Sequence, residues 1–165
     1  MEKVHGGDIY SYEKNIVDFS ANINPLGIEG EVAKAISNSV FSASVYPDTE
    51  YRKLREAISE IENVPPQYII CGNGAAELIF NLVMAIRPKR VLLTAPAFAE
   101  YEKAVDVSES EKIFFTLTEE QDFKVDESIL SAIDSVDMMF LCQPNNPTGK
   151  LIEYELMERI IEKCS

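Results

Sequence analysis

Histidine occurs once in the 165 residues, and the three cysteines, Cys71, Cys142 and Cys164, lie far apart. That set suggests neither a zinc site nor a disulfide framework, and reduced, mostly buried thiols are expected. Basic side chains are scarce too: 15 lysines and arginines face 28 aspartates and glutamates, a formal net charge of -13. Such a surface repels phosphate backbones and anionic lipid, so neither nucleic acid nor a membrane is expected as a partner. The charge leaves room for a small phosphorylated ligand, because a helix N-terminus and a few backbone amides bind phosphate locally. No apolar run approaches the roughly 18 residues that a bilayer requires. The opening MEKVHGGDIYSYEKN has no apolar signal core, and a cytoplasmic protein is expected.

What is present is enough apolar sequence, 46% of residues, to bury one substantial core. Residues 1–45 read as an irregular arm followed by a first helix from about Glu29. A second helix follows Pro47, with Asp48 or Thr49 as its cap and Leu54, Ala57, Ile58 and Ile61 as an apolar stripe; Pro65-Pro66 ends it. From there short apolar runs alternate with amphipathic segments. Runs at Tyr68 to Cys71, Val91 to Thr94, Ile113 to Leu117 and Met138 to Cys142 predict strands. Helices are predicted over Ala75 to Ile86, from Phe98, near Asp126 to Ile133 and from Glu153. Uniformly apolar strands separated by helices indicate an α/β fold whose parallel sheet is covered on both faces. The residues after each strand are then the ones to inspect for a ligand site.

After the first run comes Gly72-Asn73-Gly74-Ala75-Ala76-Glu77, entering a helix whose Leu78, Ile79, Leu82, Val83 and Ile86 are expected to face the core. Glycines admit a phosphate close to backbone N–H groups, and the helix start adds a favourable dipole. The same loop also reads as an ordinary glycine turn; it has neither the Gly-Lys-Ser/Thr of a Walker loop nor a full dinucleotide fingerprint. After the second run, Ala95-Pro96-Ala97-Phe98-Ala99-Glu100-Tyr101 offers a ring that could stack on a planar group or simply pack the start of its helix. After the fourth comes Gln143-Pro144-Asn145-Asn146-Pro147-Thr148-Gly149-Lys150, a rigid turn bracketing two amides that both donate and accept.

PNNPTG directly after a buried strand resembles the turn of fold-type-I pyridoxal-phosphate enzymes, the class I/II aminotransferase family. The resemblance implies the aspartate-aminotransferase-like large domain, with residues 46–165 as its N-terminal part and with its remainder and the small domain absent. It implies that backbone at Gly74, Ala75 and Ala76 holds the phosphate of pyridoxal 5'-phosphate. Phe98 would stack on the pyridine ring and Asn146 would hydrogen-bond the ring hydroxyl. Tyr46, in Tyr46-Pro47-Asp48, matches the tyrosine that reaches the phosphate of the neighbouring subunit, so a homodimer is implied. It also places the Tyr68 to Cys71 strand at one edge of a seven-stranded sheet, separated from the other three runs by strands that are absent.

Within that family, His5-Gly6-Gly7-Asp8 and Asp18-Phe19-Ser20-Ala21-Asn22-Ile23-Asn24-Pro25-Leu26-Gly27 look like the opening of the threonine-phosphate decarboxylases of cobalamin biosynthesis. Those enzymes convert L-threonine O-3-phosphate to aminopropanol phosphate. By that resemblance His5, Gly6 and Asn22 would contact the phosphate or carboxylate of a small phosphorylated amino acid; His5 also reads as part of a flexible solvated arm. Asp8 stands where asparagine is expected, and the stretch from His5 to Asp18 is short. Histidinol-phosphate aminotransferases share the fold, the YPD segment and the NNPTG turn, but HGGD argues against them. A non-catalytic module that binds a partner half is the remaining alternative.

The family's chemistry needs a lysine to hold the cofactor as a Schiff base, and an aspartate opposite the pyridine nitrogen. The ten lysines here, at 3, 14, 34, 53, 89, 103, 112, 124, 150 and 163, include none in the serine- or threonine-preceded loop that the family uses. The expectation is an isolated chain without the catalytic lysine, which binds the cofactor non-covalently at best and is inactive alone.

Overall fold

The computed structural model describes residues 6–12 and 16–164. The chain divides into two compact units, Met1–Ala57 and Ile58–Ser165, with one helix running across the division.

In the first unit, α1 (Gly30–Ser39) runs into a 3-10 turn over Val40–Ser44, and α2 (Arg52–Glu62) begins beyond Pro47. Asp48 caps α2 as its sequence position suggests: its carboxylate accepts from the N–H groups of Glu50 (3.1 Å) and Arg52 (2.9 Å). Those backbone bonds, that of Arg52 foremost, hold the carboxyl below its ordinary range. The expected stripe on α2 exists, but Leu54 and, past the division, Ile61 are exposed, and among the described residues up to Ala57 none is buried.

In the second unit, three parallel strands, β1 (Arg90–Ala95), β2 (Glu111–Thr116) and β3 (Met138–Phe140), lie in the order β2-β1-β3. The central strand pairs along both edges, Leu93 lying opposite Phe114 on one side and Phe140 on the other. Successive side chains of β1 point to opposite faces, as the pleat requires. Val91 and Leu93 join Val83, Ala104, Val105 and Phe140, which brings α3 (Gly74–Ile86) and α4 (Ala99–Val107) onto one face. Leu92 joins Ile129, Ile133, Ile152, Leu156 and Ile160, which brings α5 (Ile129–Ile133) and α6 (Tyr154–Cys164) onto the other. This is the predicted α/β layering. Asp137 ties the strand starts together, accepting from the N–H groups of Lys89 and Arg90 at 2.9 Å each.

Three local expectations change. A 3-10 turn (Pro66–Tyr68) ends where the expected Tyr68 to Cys71 strand begins, and the residues after it are not in the sheet. A strand needs a ladder partner; these residues pair with neither edge strand, β2 or β3, and Ile70 is 79% exposed. On α3, Val83 is buried and Ile79 packs beside it, but Leu82 and Ile86 are 45% and 53% exposed, because α4 and β1 cover only one face of an all-round apolar helix. All three thiols are free; Cys71 and Cys142 are half-buried and Cys164 is exposed, so the expectation of mostly buried thiols is not met.

Candidate functional site

Within the second unit the loops at the carboxyl end of the sheet converge by hydrogen bonding and packing. The loop after β1 leads into α4 through Phe98, whose extended backbone (φ -60°, ψ 123°) precedes the first helical turn. Its ring meets Tyr101 edge-on at 5.6 Å, and Tyr101 stacks on Phe140 of β3 at 4.7 Å. An aromatic series thus runs from the loop into the core. Burial, with a hydrogen bond to the Cys142 thiol, pushes the Tyr101 phenol up to about 12.

The loop after β3 folds on itself. The Gly149 N–H donates to the Asn145 carbonyl (2.6 Å), and the Asn145 N–H donates to the Lys150 carbonyl (2.8 Å). Gln143 Oε1 accepts from the Ile152 N–H at 2.8 Å, anchoring the loop near α6. The Asn146 N–H donates to Cys142 Sγ at 3.4 Å, and the residue is half-buried. Asn145 is buried and reaches across to the loop after β1, where its Nδ2 donates to the Pro96 carbonyl at 3.1 Å. Phe98 and Asn146 are therefore carried on loops that one side chain joins.

Gly74, Ala75 and Ala76 form the first turn of α3. Gly74 opens the helix at φ +80°, a region that glycine adopts without strain, and its N–H donates to the Gly72 carbonyl at 2.9 Å. The N–H groups of the turn that follows have no intrahelical acceptor. Glu77 folds back so that its carboxylate accepts from the Asn73 N–H.

In the first unit, the two N-terminal motifs meet. An added Cβ on Gly6 would lie 1.8 Å from the Ser20 carbonyl oxygen, so only glycine fits there. The Gly7 N–H donates to Ser20 Oγ at 2.8 Å, and that hydroxyl donates to Asp18 at 2.5 Å. The hydrogen bond from the Ser20 side chain is the main reason the Asp18 carboxyl lies below its ordinary range. Asn22 is exposed nearby in sequence, and Tyr46 is 93% exposed. His5 lies outside the described residues. Sequence reasoning assigned no role to Tyr101, Glu77 or the Asp18–Ser20 pair, and it marked Asn145 only as one of the two amides in the PNNPTG turn, without its partner Pro96.

A three-layer α/β unit whose parallel strands end in loops joined at their carboxyl ends, the place where such sheets bind ligands, defines the class. The description Aminotransferase class I and II matches residues 14–165, and the chain belongs to that family. It is similar to threonine-phosphate decarboxylase from Salmonella typhimurium, with 36% identity over 172 residues, 99% of this chain and 47% of the relative. It is also similar to histidinol-phosphate aminotransferase from Caldanaerobacter subterraneus subsp. tengcongensis, 36% identical over 150 residues, 87% of this chain and 42% of that one. Among solved structures, histidinol-phosphate aminotransferase from Clostridium acetobutylicum superposes with a TM-score of 0.79 at 33% identity, covering 90% of this chain and 44% of that one. The chain spans less than half the length of the curated relatives it matches.

The family implies pyridoxal phosphate, and the donor set suits it. The first N–H groups of α3 lack intrahelical acceptors and lie at its positive end, and nothing lies within 4 Å of a Cβ placed on Gly74. Phe98 offers a flat ring and Asn146 a half-buried amide. Among the described residues no group of three or more His, Cys, Asp or Glu could hold a metal ion, and no helix is long and apolar enough to cross a membrane.

Proposed function

We propose that this chain forms the N-terminal part of a pyridoxal-phosphate enzyme that decarboxylates L-threonine O-3-phosphate. The observation that carries the reading is the 36% identity to a threonine-phosphate decarboxylase over 99% of the chain; the aminotransferase of equal identity covers 87%. Residues 1–45 serve as a substrate-binding arm and residues 46–165 begin the cofactor domain.

When bound, the cofactor supplies an electron sink for the pair left as a bond to the substrate Cα breaks. The chain's own residues position the reactants. The N–H groups around Gly74, Ala75 and Ala76 bind the phosphate at the positive end of α3. The Phe98 ring covers one face of the pyridine, and the Asn146 amide binds the ring hydroxyl, fixing rotation in the plane. Gly6, Asn22 and His5 bind the substrate's phosphate or carboxylate, which decides the bond held for cleavage. Tyr46 completes the phosphate site of a second copy in a homodimer. Lys150 adjoins the PNNPTG turn and its Nζ pairs with Asp122 at 2.6 Å; it does not lie in the serine- or threonine-preceded loop that the family uses, so the catalytic lysine is not assigned to it.

Two measurements test the reading. With pyridoxal phosphate present, calorimetric titration is expected to give tighter binding of L-threonine O-3-phosphate than of L-histidinol phosphate. The reverse order favours the aminotransferase reading, which the Clostridium structure supports, and binding of neither favours a non-catalytic module. Borohydride treatment of the cofactor-loaded chain is expected to leave no stoichiometric lysine-linked adduct; one adduct at a single site overturns the lysine assignment.

A further inference from the structure

Asn145 is 8% exposed, yet its side chain lies between two loops rather than inside a helix or strand. Nδ2 uses both of its hydrogens, one to the Pro96 carbonyl at 3.1 Å and one to Thr148 Oγ1 at 2.9 Å. Reversing the amide would set oxygen against the Pro96 carbonyl oxygen, so these bonds fix its orientation. Its main chain is engaged in both directions, with Lys150 and Gly149. Oδ1 is buried without a partner. A buried amide held with one unsatisfied oxygen costs free energy, and such groups persist where a constraint other than stability keeps them.

The residues that Asn145 connects suggest that constraint. Pro96 is two positions before Phe98, and Asn145 precedes Asn146. The bridge therefore sets the placement of the residue that would cover the pyridine ring relative to the one that would bind its hydroxyl. Both must meet one rigid planar group, and sites of this kind require placement within about 0.5 Å. We propose that Asn145 is a positioning residue for the cofactor ring, holding the loops after β1 and β3 in the register at which Phe98 and Asn146 engage the same ligand. This rests on the pyridoxal-phosphate reading above. The phosphate, held at the start of α3, lies outside the bridge, so ring recognition and phosphate recognition are separable.

The test uses the 165-residue chain with 4'-deoxypyridoxine phosphate, which has the ring and phosphate but no aldehyde, and with inorganic phosphate. Affinities are read from calorimetry and folding from the near-ultraviolet circular dichroism of the free chain. Asn145→Ala is expected to weaken the ring ligand by on the order of tenfold while leaving phosphate affinity unchanged. Asn145→Asp keeps the shape but donates only when its carboxyl is protonated, so its deficit relative to the parent chain should shrink as pH is lowered. Equal ring affinity in parent and both variants overturns the proposal, as does a parallel loss of phosphate affinity. Variants that both lose the free chain's spectrum mark Asn145 as structural and also overturn it. A parent chain that binds phosphate but not the ring ligand overturns the cofactor reading, and this inference with it.

Discussion

Tyr101 shows how burial at a single residue becomes measurable. Its phenol is pushed up to about 12, mainly by desolvation and then by its bond to Cys142. A raised value means that the neutral form is favoured in the fold. The resulting stability is complete below the unfolded phenol's value and is lost as pH rises through the folded one. Alkaline absorbance titration of the seven tyrosines should therefore show one late component, and Tyr101→Phe should remove it. A late component that survives the substitution would assign the shift to another tyrosine. The sequence pointed to Phe98 through its place after a strand, but the role of Tyr101 depends on stacking against Phe140, a partner 39 positions away that only packing supplies.

At the scale of elements, the start of α3 and the paired starts of β1 and β3 carry the testable consequences. Gly74 sits at φ +80° with open space around it, so an added methyl meets no atom and the cost is conformational alone. Gly74→Ala should lower stability by about 1 kcal/mol in urea unfolding. Asp137 accepts from two N–H groups at the head of β1, and the Arg90 backbone bond is the main cause of its lowered carboxyl. Its contribution is present above the unfolded value and is lost as pH falls through the folded one. Asp137→Asn should accordingly flatten the loss of thermal midpoint in acid below about pH 4, and an unchanged acid profile would contradict the assignment. Periodicity located β1, α4 and α6 because each has a continuous pattern. It placed a strand at Tyr68 to Cys71 because an apolar run carries no information about whether a ladder partner exists.

For the whole molecule, the contrast between the two units matters most. Leu92 is fully buried between β1 and the α5–α6 layer, and Leu92→Ala should cost about 2–5 kcal/mol in denaturant unfolding. The described residues of the first unit include none that is buried, so that unit has little to oppose local opening. Limited proteolysis should cut within residues 6–57 well before the sheet, and initial cleavage within β1 or α6 would contradict this.

By itself the sequence determined the α/β class, the parallel strands around Val91 to Thr94, and the PNNPTG and glycine turns that mark the family, because apolar runs and turn residues act through local geometry. The α2 cap was legible as Asp48 or Thr49 for the same reason, and the structure decides for Asp48. The tertiary structure alone decided which face of α3 is covered and that Asn145 reaches Pro96 from 49 residues away. Each of those depends on what lies opposite in space, and residue spacing along the chain does not encode it.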